Sequence, residues 1–299
     1  MLKKWASNDA AVLLLMMLPG IFHFIVFRYV PLAGNFIAFQ DYNLFKGFRH
    51  SDWVGFKHFA EMFRYEEFAM VLRNTLLLSG LSIVFGFPAP LVLALLLNEV
   101  AHIRLKRPLQ TLLYLPHFLS WVIVGGIFIN LLATDGIVNT MLGWIGLPSK
   151  DYLTEPGYFR AILVLIGIWK EAGWGTIIYL AALAGINPQL YEAAVVDGAG
   201  RWRRMLSITL PSLLPAIVVL FLLRIGSLLE SNVEQVLIFI NPLVRDVGEV
   251  FDTYVYRVGL QKAQFSYTTA IGLFQSLIGL LLVVGMNTVS KRATGESIY

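Results

Sequence analysis

Six runs in this chain stay apolar for about 20 residues or more, and that pattern limits the folds open to it. They fall at 10–30, 75–97, 109–132, 159–184, 211–229 and 268–289. An α-helix rises about 1.5 Å per residue, so about 20 residues cross the roughly 30 Å hydrocarbon core of a bilayer. Inside lipid a segment must satisfy its own backbone N–H and C=O groups, and a helix does so unaided. An all-α integral membrane protein with six transmembrane helices follows, organised as one transmembrane domain over 1–299. The composition agrees: 57% hydrophobic against 14% charged residues would leave a soluble globule without a surface. Pro88 and Pro90 in the second run and Pro116 in the third are expected to kink or interrupt their helices, because proline lacks the N–H that the ladder needs.

Charge sets the expected orientation. The connections 98–108 and 185–210 and the two ends carry Lys and Arg at more than twice the density of 31–72, 133–157 and 231–266. By the positive-inside tendency, both termini and the 185–210 connection are cytoplasmic. The formal charge of +4 reflects that bias and gives no reason to invoke nucleic acid. Lys3 and Lys4 resemble the basic start of a signal peptide, but the apolar run that follows is too long and lacks a small-residue cleavage site, so an uncleaved anchor is expected.

Several classes of chemistry are missing. There is no cysteine, which excludes disulfides and thiolate metal sites. The five histidines form no H-E-x-x-H, no serine sits in G-x-S-x-G, and no G-x-x-x-x-G-K-[ST] provides a phosphate cradle. No catalytic or metal site is expected. A secondary transporter working alone would call for internal repeats or ion-coupling carboxylates at mid-membrane, and Glu171 is the single candidate.

The 185–210 connection is the most distinctive polar stretch. Asn187 suits a helix N-cap and Pro188 the first helical position. Gly198 can adopt the left-handed conformation that ends a helix, so about three turns are predicted from Pro188 to Asp197. A second short helix is predicted over 201–210. Ala193, Ala194, Gly198, Ala199 and Gly200 would let a partner backbone come close, Glu192 could pair with a basic group, and Trp202 offers a large contact. From the residues alone, an ordinary capped hairpin remains an equal alternative.

The series Glu192-Ala193-Ala194, Gly198, Ile208 and Leu210-Pro211, extended by Asp197, Ala199, Trp202, Thr209 and Pro215, resembles at full spacing the EAA motif of permease subunits in binding-protein-dependent ABC importers. Met205 departs from the usual Phe, and a flexible thioether can fill the same apolar hole. The wider chain is similar to the carbohydrate branch that serves lyase-released polysaccharide fragments. That likeness is carried by Trp53 to Phe59, Arg73 to Leu76, Asn98-Glu99, Tyr114 to Phe118 and Asp252 to Gly259. The resemblance implies a type I importer permease in a bacterial inner membrane, acting with a second, non-identical permease. It also implies two cytoplasmic ATPases that hold ATP and Mg²⁺, and a periplasmic or tethered solute-binding protein. No cofactor is implied in this chain itself. Glu192, Ala193, Ala194, Asp197, Gly198, Ala199 and Trp202 would dock the ATPases.

Within the spans, buried charge is expensive and usually functional. By offset from Glu192, the resemblance places sugar-contacting positions at Gly167, Glu171, Trp174, Arg224 and Ser231, with Ser120 a further candidate. Glu171 and Arg224 could equally form a buried pair that only fixes packing. Lys170 and Arg224 against Glu171 leave a net positive midsection, which together with the family branch favours an acidic oligosaccharide such as an alginate or pectin fragment over a neutral one. The aromatic stretch 31–73 and the stretch 231–266, acidic at its centre, are expected to cover the pore mouth and receive the binding protein, or else to pack only on each other.

Overall fold

The structure is a computed structural model that describes residues 8–100 and 102–295. Lys3 and Lys4, and with them the reading of the N-terminal end, lie outside the described residues. The described residues are helical almost throughout and contain six helical stretches long and apolar enough to cross a membrane: Val12–Phe39, Glu66–Glu99, Trp121–Trp144, Pro156–Ala184, Arg201–Gly226 and Phe265–Arg292. It divides into two compact units, 1–65 with 255–274, and 66–254 with 275–299.

In the first unit the opening helix Asn8–Phe24 runs on through a wider π turn, Ile25–Tyr29, and a tighter 3₁₀ stretch, Ala33–Phe39. The first span is therefore longer than the expected 10–30. Beyond it a two-stranded ladder pairs Gln40 with Trp53 and Asp41 with Asp52. Its rings pack on one another: Phe39 stacks on Trp53 at 5.7 Å and meets Phe56 and Phe59 at 5.4 Å. Phe45, Trp53 and Phe56 nevertheless remain exposed, so self-packing does not use up the aromatic surface.

In the second unit the helix Glu66–Leu81 passes through a π turn, Ser82–Gly86, into Pro88–Glu99. Pro88 stands at the start of that last helix, where a missing N–H is harmless, so the break falls where the prolines predicted it. The expected third span at 109–132 is corrected. Helix Ile103–Tyr114 stops, a 3₁₀ turn occupies Leu115–Phe118, and a new helix runs Trp121–Leu132. Pro116 cannot continue the first helix, and Ser120 caps the next by accepting a hydrogen bond from the Ile123 N–H at 3.3 Å. The long apolar stretch is accordingly Trp121–Trp144.

Two cores hold this unit. One gathers Trp121, Val124, Phe159, Leu163, Ile166, Val236, Phe239 and Val250; the other gathers Ala94, Tyr179, Leu183 and Leu213. Beside the first, polar groups clasp the helix starts. Arg160 donates to Asn74 Oδ1 at 2.8 Å and to the Val247 carbonyl at 2.9 Å, and Asn74 donates to the carbonyls of Asp246 and Glu249. The 245–251 segment is thereby tied to the second and fourth spans.

Candidate functional site

The 185–210 connection folds as its capping residues dictate. Asn187 accepts from the Gln189 N–H at 3.0 Å, Pro188 opens the helix Pro188–Val196, and Gly198 takes φ +78°. The Ala199 N–H returns to the Ala194 carbonyl at 2.8 Å, which closes the helix end. The second helix expected over 201–210 is not a separate element. Arg201–Arg204 passes through a π turn, Met205–Thr209, directly into Leu210–Gly226, making one continuous span. Tyr191 pins the short helix to that span through a 2.9 Å hydrogen bond between its hydroxyl and that of Thr209.

What this knob shows to its surroundings mixes apolar, acidic and basic groups, with Arg201 and Arg203 exposed on either side of Trp202. Val196 is 87% exposed and Trp202 75%, with Val195 also open. Glu192 and Ala193 are exposed beside them, as are Asp197 and Gly198, while Ala194 and Ala199 are half-buried. Glu192 has no ion-pair partner among the described residues.

A cavity of about 640 Å³ opens within the second unit. One wall is a face of the fourth span that repeats at helical spacing: Gly167, Glu171, Gly175 and Tyr179. The fifth span contributes Leu220, Leu223, Arg224 and Ser227, and the chain beyond it adds Glu230, Ser231, Asn232 and Gln235. The second span closes the cavity with Ser79, Ser82 and Pro90 around its π turn, a type of distortion often found at functional sites. Ser231 is held by Asp252, which accepts from its N–H at 2.6 Å and its hydroxyl at 2.7 Å. Gln235 donates to the Leu163 carbonyl at 2.6 Å and lies against Gly167.

Of the six pathway positions, Gly167, Glu171, Arg224 and Ser231 line this cavity. Ser120 and Trp174 do not; they group instead around the break in the third span. His117 joins the two groups. Its Nδ1 lies 2.7 Å from Glu171 Oε2, and its ring stacks flat on Trp174 at 4.5 Å. Phe118 meets Trp174 edge-on. Lys170 is 5% exposed, donates to the His117 carbonyl at 2.8 Å, pairs with Glu171 at 3.2 Å and lies over the Trp121 ring. Glu171 therefore pairs with His117 and Lys170 and not with Arg224, which removes the packing-pair alternative. The guanidinium of Arg224 has no carboxylate partner among the described residues.

The sequence flagged Pro116 but could not supply the role of His117, because its partners stand 53 to 57 positions away. Tyr179 was also missed; it looks like an ordinary interfacial or core aromatic.

The family model for the binding-protein-dependent transport system inner membrane component matches residues 76–295. The chain belongs to this family. The permease is 49% identical over 288 residues to the polygalacturonan/rhamnogalacturonan transport system permease protein YteP of Bacillus subtilis (strain 168), covering 96% of this chain and 90% of that one. To Protein LplB of the same organism it is 46% identical over 288 residues, covering 96% and 91%. It also superposes on a chain from the crystal structure of a bacterial ABC transporter involved in the import of the acidic polysaccharide alginate. The TM-score is 0.89 at 43% identity, over 96% of this permease and 97% of that chain. A second alginate transporter structure, in complex with an alginate pentasaccharide-bound periplasmic protein, gives 0.90 at 42% identity over 97% and 98%. The all-α, six-span, type I architecture expected from the sequence is thus the architecture of this permease.

Proposed function

We propose that this permease forms, with a second and non-identical permease, the translocation route of an ABC importer for acidic oligosaccharides such as alginate or pectin fragments. Two separate cytoplasmic ATPases, which hold the ATP and Mg²⁺, dock on Glu192, Ala193, Ala194, Asp197, Gly198, Ala199 and Trp202. A solute-binding protein delivers the fragment to the opposite face, where the stretches 31–73 and 231–266 receive it. Both termini lie with the ATPases.

The acid preference rests on Arg224. Lys170 is neutralised by Glu171, so Arg224 is the cavity cation left to meet a uronate, which a guanidinium can grip with two parallel hydrogen bonds. Glu230, in the same cavity, can accept from sugar hydroxyls. The names of YteP and of the alginate transporters point the same way. The coupling role rests on the exposed knob, where Glu192 and Asp197 stand among small and aromatic residues that suit a protein partner.

The test is ATP hydrolysis by the whole complex in liposomes, with its binding protein, against uronate and neutral oligosaccharides of comparable length. Stimulation by acidic fragments alone supports the reading; equal stimulation by neutral ones replaces it with a neutral-sugar importer. Arg224→Ala is expected to lower uptake of acidic fragments about tenfold, the equivalent of one charge-assisted hydrogen bond, and that of neutral fragments far less. Equal losses for both would return Arg224 to a packing role.

A further inference from the structure

Tyr179 stands apart from every other group in the cavity wall. It is 2% exposed, its ring is packed among Ala94, Leu183 and Leu213, and its hydroxyl is buried with no hydrogen-bond partner among the described residues. It lies eight residues beyond Glu171 on the same helical face, roughly 12 Å further along the axis at 1.5 Å per residue, on the side of the Pro188–Val196 helix. Ile178, Leu220 and Pro90 also line the cavity. The polar groups of the cavity, Glu171, Arg224, Ser227, Glu230 and Gln235, are gathered toward its other end.

A buried hydroxyl left unsatisfied is costly, and phenylalanine would fill the same apolar packing without that cost. Retention of the oxygen at a cavity wall calls for a partner that arrives during work. We propose that the Tyr179 hydroxyl is a substrate-contacting specificity group: it hydrogen-bonds a hydroxyl or carboxylate oxygen of the sugar as the fragment moves past Arg224 toward the loop end of the cavity. This rests on the oligosaccharide reading above and adds to it a second contact level, one hydrogen bond deep in an otherwise apolar throat. A phenolic hydroxyl can both donate and accept, so it serves either oxygen.

The test compares Tyr179→Phe and Tyr179→Ala with the parent in the assembled transporter in liposomes. The substrate is whichever fragment of a uronate and neutral panel the parent takes up best. That choice keeps the result readable even if the acid preference is wrong, a failure that would show in the parent alone. Tyr179→Phe is expected to keep or raise the thermal midpoint, yet to slow uptake about five- to tenfold, the loss of one hydrogen bond. Tyr179→Ala is expected to lower the midpoint, which shows that the stability measurement responds at this position. Parental uptake by Tyr179→Phe would overturn the proposal and leave the hydroxyl a passenger of the core. A fall in midpoint with Tyr179→Phe would also overturn it, since the hydroxyl would then have a structural partner.

Discussion

Reversing the charge at Glu192 is expected to cut substrate-stimulated ATP hydrolysis and uptake about tenfold or more, while Glu192→Lys still inserts and keeps the parental thermal midpoint. The side chain is exposed and has no ion-pair partner among the described residues, so its replacement leaves their packing intact. A basic group on the ATPase would instead meet a like charge, and close charge pairs at interfaces couple by about 1.5 kcal/mol or more. Comparing basal with substrate-stimulated hydrolysis in liposomes separates the two stages. Parental coupling in Glu192→Lys would strip the Pro188–Val196 helix of its docking role.

The second large effect concerns folding. A β-carbon at Gly173 would lie 1.8 Å from the Leu113 carbonyl oxygen and 3.2 Å from the Leu113 side chain, so the fourth span and the helix Ile103–Tyr114 cross with no room between them. Gly173→Ala should therefore push the two apart and destabilise the permease by about 3 kcal/mol, at the upper end of ordinary overpacking because the obstacle is backbone. Gly126→Ala is the control: no atom lies within 4 Å of its added carbon, and a helical alanine gains on glycine. Thermal unfolding in detergent should separate the pair clearly, with a markedly lower midpoint for Gly173→Ala alone. Matching midpoints would mean that the helices do not meet at Gly173.

Local chemistry proved easy to read in the sequence, and distant chemistry did not. Asn187, Pro188 and Gly198 declare the loop helix because capping is decided within four or five residues, and the structure reproduces both ends. Length and apolarity announce the spans for the same reason. The fusion of 201–210 with the fifth span was hidden, since Pro211 reads as a helix start while in the structure it sits in the first turn after a π turn that absorbs the missing N–H. In the candidate site, Gly167, Glu171, Arg224 and Ser231 emerge together on one cavity. Trp174 is drawn elsewhere by its stacking on His117, which belongs to another segment, and Ser120 is spent capping the helix from Trp121. No sequence window contains both halves of the Lys170 to His117 bond.

That bond bears on how the protein is made. The turn Leu115–Phe118 leaves a carbonyl of the third segment outside the helical ladder, and the group that satisfies it is an ammonium on the fourth. Released singly into lipid, one segment would carry a bare carbonyl and the other an ammonium left to its neighbour Glu171 alone, and a bilayer penalises both. The two segments are thus mutual chaperones, stable in the membrane only once they have entered it as a pair.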